Sequence, residues 1–141
     1  MSLLLFFHIA LVGFVAGLLI IADKEALSWF TGKRQTLEPE RLRLYHKLTW
    51  AGLVSLGGTG FILVYPYRLY LLTEPLFIAK LFFVGVLFVN ALLIGRLQHL
   101  ATTHAFSSLS LSQKIPLFIS GAASLYCWLG AAFLGYLVTN F

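Results

Sequence analysis

Two ionisable side chains stand inside long apolar stretches of the chain, His8 in the first and Lys80 in the third. A charged or strongly polar group in hydrocarbon is costly, so each is a functional candidate by its position alone. At about 1.5 Å of rise per helical residue, His8 lies about 7–9 Å below the outer edge of the first span, and Lys80 enters the third span to a similar depth from the same side. A neutral imidazole can ligate a metal or move a proton, and an ammonium can hold an acidic group. Together they make one candidate site, with His8 and Lys80 as catalytic residues and His8 as metal ligand. Asn90 falls within about 80° of Lys80 around the third helix and about 15 Å deeper, which adds it to the cofactor-binding candidates. The plainer reading is that Lys80 reaches up to the headgroups and His8 bonds a neighbouring polar group.

Other chemistry is thinly represented. His46, His99 and His104 all fall near the opposite ends of the spans, where two of them could meet, or each could simply be solvated. No CxxCH is present, which excludes covalent c-type haem attachment, and neither HExxH nor a Cys/His cluster indicates zinc. The five acids lie in connections or at helix ends, so no catalytic carboxylate pair is formed. The lone Cys127 sits beside Trp128 in the fourth apolar block and is expected to pack as a small apolar side chain.

The elements that must position these residues are membrane helices. Hydrophobic residues make up 60% of the 141 residues and charged residues 11%, against roughly 25% charged in soluble domains. The apolar residues fall in four blocks, about 3–22, 47–66, 75–95 and 115–138, each near the roughly 20 residues a helix needs to cross the hydrocarbon core. The expected fold is all-α, an integral membrane four-helix bundle in one transmembrane domain. The first block has no basic leader and no small-residue cleavage site, and so reads as a span rather than a signal peptide. The net charge of +5 does not point to nucleic acid, because the basic residues are sorted by connection. Lys24, Lys33, Arg34, Arg41, Arg43 and Lys47 belong to the first, Arg96 and Lys114 to the third, which places both in the cytoplasm and both termini outside. The expected location is the cell (inner) membrane.

The polar segment 23–46 reads as a cytoplasmic connection in which Glu38-Pro39-Glu40 opens a helix that leads into the second span. Tyr65, Tyr67 and Tyr70 suit an aromatic belt at the outer interface. Small residues, which let helices in lipid approach closely, occur on every span: Gly13 and Gly17 as a GxxxG, then Ala51, Ser55 and Thr59, then Ala91 and Gly95, then Ser120, Ser124, Cys127, Ala131 and Gly135.

His8 followed by Gly13-Phe-Val-Ala-Gly17, Glu40-Arg-Leu-Arg43 leading into a glycine-rich second span, and Ala79-Lys80-Leu81 early in the third resemble the membrane protoporphyrinogen oxidases of the HemJ type and the related copper-resistance D-like proteins. The resemblance covers about the first 96 residues. It implies a b-type haem with His8 as a ligand and Lys80 as its basic partner. Ala22-Asp23-Lys24 stands where that family carries Pro-Arg, and Asn90 near where it carries a second histidine.

The first functional expectation is therefore a redox-active membrane protein that binds haem b and transfers electrons or hydrogen, with porphyrinogen oxidation within its range. The second is a non-catalytic accessory subunit whose surplus glycines and 16% aromatic content serve packing against partner subunits, a homo-oligomer or lipid. A small transporter ranks third, since Asn90 and the Gly57-Gly58 break are its sole polar or irregular features at mid-depth.

Overall fold

The computed structural model describes residues 3–139. Helix α1 spans Leu3–Phe30, α2 Pro39–Val64, the short α3 Arg68–Leu71, α4 Pro75–Thr103 and α5 Leu111–Thr139, with single 3-10 turns at Tyr65–Tyr67 and Phe106–Ser108. Among the described residues there is no strand. Four helices are long and apolar enough to cross a membrane. The all-α, four-helix reading of the sequence therefore holds.

Each helix outruns the apolar block that announces it. At 28 residues, α1 is about 42 Å long, against roughly 30 Å of hydrocarbon. It continues through Asp23-Lys24-Glu25 to Phe30, so most of the polar segment 23–46 is helical and the true connection is residues 31–38. Gly32, at φ +78°, turns the chain there, and Leu37 N–H donates to the Ala101 carbonyl at 2.8 Å, tying the connection to the end of α4. Pro39 occupies the first turn of α2 behind Glu38, where its missing N–H costs no helical bond.

The helices pack as two antiparallel hairpins, α1 on α2 and α4 on α5, joined chiefly by contact between α2 and α4. Two close approaches explain the pairing. Gly52 of α2 takes Val15, a fully buried side chain of α1, directly against its backbone. On α5, a Cβ at Gly135 would lie 2.9 Å from Nζ of Lys80 on α4. The small residues of α4 and α5 serve as expected: Ala91, Ser120, Cys127 and Ala131 are buried. Those of the first hairpin are partly misassigned. A Cβ on Gly13 or Gly17 would meet nothing within 4 Å, and Ala51 and Ser55 are exposed, so among the described residues no helix packs closely on the GxxxG.

The tightest apolar cluster lies at the basic end of the bundle. Trp29, Leu37, Leu42, Ala101 and Leu109 are buried there, with Phe30 and Phe106 against them. Trp29 is 2% exposed and its indole N–H donates to the His104 carbonyl at 3.0 Å. Toward the middle and the opposite end, many large apolar side chains face outward, Phe61, Phe82, Leu92 and Phe133 among them. Lipid is the solvent that such faces fit.

Candidate functional site

The antiparallel pairing brings the start of α1, the end of α2, the start of α4 and the end of α5 to one end of the bundle. His8 and Lys80 are both there. His8 projects toward α2, where its Nδ1 lies 2.7 Å from Oγ1 of Thr59 and its Cε1 passes 3.3 Å from where a Cβ on Gly60 would sit. The Thr59 hydroxyl donates to the Ser55 carbonyl at 2.9 Å. A hydroxyl has one proton; with it directed to the Ser55 carbonyl, Thr59 accepts from His8 and Nδ1 carries the imidazole hydrogen. Nε2 is then the nitrogen with the lone pair. A metal-ligating histidine is oriented in the same way, its second nitrogen donating to a fixed acceptor.

Lys80 lies in the second turn of α4, which opens with Pro75 behind Glu74. Its chain runs across α5 at Gly135, and its charge is close enough to act on His8. Among the described residues its ammonium has no acidic partner. His8 and Lys80, paired from sequence depth alone, thus share one region of the bundle, each half-buried.

Asn90 behaves differently. It is 5% exposed, its Nδ2 donates to the Ser120 carbonyl at 3.1 Å, and its Oδ1 accepts from the Ser120 hydroxyl at 2.7 Å. Both hydrogen-bonding ends of the amide are therefore engaged by α5 in the middle of the second hairpin. The residue works as a clamp between α4 and α5.

The other histidines do not converge. His46 Nε2 accepts the Trp50 indole N–H at 3.1 Å, and the ring lies against Gly95 of α4. His104 Nδ1 pairs with the hydroxyl of its neighbour Thr103 at 2.8 Å. Among the described residues no group of three or more His, Cys, Asp or Glu side chains is placed to hold a metal ion.

Two features of the basic half escaped the sequence reading. Glu25 of α1 binds Arg41 at 2.8 Å and receives a long hydrogen bond from Tyr45 at 3.4 Å, fastening α1 to the first turns of α2. Its Oε2 is buried with no hydrogen-bond partner among the described residues. The signal was available: Glu25 stands one helical turn before Trp29 and so faces the same way as that buried ring. The second feature is a cavity of about 380 Å³ between the two hairpins, lined by all four long helices and including Asp23, His46 and Asn90 but neither His8 nor Lys80.

Comparison of the chain with family models, with curated proteins and with solved structures finds no match.

Proposed function

We propose that this multi-pass protein is a redox protein of the cell (inner) membrane that binds haem b at the end of the bundle where the termini lie, with His8 as axial ligand. The observation that carries the proposal is the His8–Thr59–Ser55 chain of hydrogen bonds, in which a donating Nδ1–H keeps the Nε2 lone pair free for a metal. The residues fit the group in charge as well. Lys80 supplies a cation near His8 with no acidic partner among the described residues, suited to a haem propionate. When bound, the haem would supply one-electron chemistry at its iron.

The protein's own contribution is positional. Thr59 fixes the ring and raises its basicity through the Nδ1–H bond. Gly60 leaves room for the imidazole edge. Asn90 takes no part in holding the group, since Ser120 engages both ends of its amide. The resemblance to the HemJ-type oxidases agrees with this assignment and suggests a porphyrinogen as the compound oxidised.

The test is an absorption spectrum of the purified full-length protein, oxidised and then reduced with dithionite. A Soret band with α and β bands on reduction is expected, absent from His8→Ala and kept by Asn90→Ala. Lys80→Met should retain the bands with weakened haem retention. Absence of haem from the wild-type protein after expression with added haem precursor would overturn the assignment.

A second reading has its own observation. Exposed Gly13 and half-buried Gly17, at which a Cβ would meet nothing within 4 Å among the described residues, leave a small-residue surface on α1, as an accessory subunit meeting a partner helix would. Under that reading His8→Ala is silent, and Gly13→Leu dissociates the complex.

A further inference from the structure

The cavity between the hairpins is built from groups that the haem reading does not use. Its walls are mostly apolar, with Leu53, Leu87 and Ile94 among them, and its volume of about 380 Å³ is within the range of about 300–1,000 Å³ usual for small-molecule sites. Into these walls are set hydrogen-bond donors with nothing to donate to. Thr49, Ser124 and Trp128 line the cavity and make no side-chain hydrogen bond among the described residues. His46 lines it too, and because its Nε2 accepts from Trp50, its neutral ring has Nδ1–H left as donor.

The way in is lateral. Leu27 of α1 and Leu125 of α5 both line the cavity and are 58% and 57% exposed, and apart from the Phe30–Phe118 ring contact α1 and α5 meet little. The gap between those helices runs from Leu125, within the apolar part of α5, to Leu27, just past the apolar block of α1. Asp23, one turn before Leu27 on the same face of α1 and likewise exposed, stands at that mouth. Its carboxylate disfavours an anionic head passing or settling there.

We propose that this cavity binds an uncharged amphiphile from the membrane, an apolar chain ending in carbonyl oxygens, which enters sideways between α1 and α5. The carbonyl end accepts hydrogen bonds from the unengaged donors of Thr49, Ser124, Trp128 and His46, and the chain lies against the aliphatic walls. The chemistry is recognition by donors without a cation, which selects neutral acceptors over acids. This site is separate from His8 and stands whether or not haem is bound.

The experiment uses the full chain in nanodiscs and a monoacylglycerol with a dibrominated acyl chain, read by quenching of tryptophan fluorescence, since Trp29 and Trp128 line the cavity. Saturable quenching is expected, reversed by the unbrominated monoacylglycerol and not by an alkyl sulfate of equal chain length. Ser124→Leu, which removes a donor and fills space, should weaken binding about tenfold. Gly121→Leu provides a second filling variant, because Gly121 lines the cavity and a Cβ there meets nothing within 4 Å. Asp23→Asn should let the alkyl sulfate compete. Quenching that rises linearly without saturation, or that is unchanged in both filling variants while their helical circular dichroism is intact, would overturn the proposal. Equal competition by the alkyl sulfate in the wild-type protein would overturn its selectivity.

Discussion

Replacing Asn90 by alanine removes two hydrogen bonds at once, the 3.1 Å donation to the Ser120 carbonyl and the 2.7 Å acceptance from its hydroxyl. Interhelical hydrogen bonds between membrane helices contribute on average about 0.6 and at most about 1.7 kcal/mol each, because the separated helices find other partners. Both bonds here join groups buried to about the same extent, Asn90 at 5% and Ser120 at 6% exposure. The pair together should therefore stabilise the α4–α5 hairpin by about 1–2 kcal/mol, roughly five- to thirtyfold in the folding equilibrium. Ser120→Ala removes one bond and should cost about half as much. Since Asn90→Ala also opens a small void, the double-mutant cycle is the decisive measurement, and its coupling energy should be about 0.5–1.5 kcal/mol. Steric trapping in bicelles gives these free energies without denaturing detergent. A coupling below about 0.2 kcal/mol would refute the clamp, as would an Asn90→Ala protein of wild-type stability that has lost its haem.

Thr59→Val keeps the shape of the side chain but removes the acceptor for His8 Nδ1–H, and should weaken haem binding about 10- to 100-fold while leaving the helical content unchanged, as measured by haem transfer to apomyoglobin. On α1 and α2, two glycines should respond oppositely. Gly52→Leu drives a side chain into Val15 and should lower stability by about 1–3 kcal/mol. Gly13→Leu, with nothing within 4 Å of its Cβ, should change the stability of the monomer by less than about 0.5 kcal/mol. Thermal denaturation of the detergent-solubilised variants compares the two.

The contrast between the two glycines shows what a spacing rule can and cannot carry. GxxxG marks a helix face where another backbone can approach, but the pattern does not say which helix approaches, or whether any helix of the same chain does. In this fold α2 meets α1 through Gly52, which belongs to no such motif, while a Cβ at Gly13 or Gly17 would meet nothing within 4 Å. Asn90 illustrates the same limit from the side of polar groups. Its position on α4, on the Lys80 side, is a property of helical periodicity and was legible. Its engagement with Ser120, 30 residues on, depends on how α5 is rotated, and that rotation has no local signature.

Four membrane-length helices, their approximate bounds, the helix start at Pro39 and the common depth of His8 and Lys80 were determined by the sequence alone. Each follows from interactions within one segment: an apolar stretch in lipid must satisfy its own backbone, and 1.5 Å per residue sets depth. The tertiary structure decided which faces meet. It set His8 against Thr59, turned Asn90 into a clamp, joined Glu25 to Arg41, and left a cavity between two hairpins that touch each other less closely than their own helices do. The physical reason is that lipid gives no hydrophobic reward for helix contact, so the pairing is chosen by close packing and a few polar contacts between segments distant in the chain.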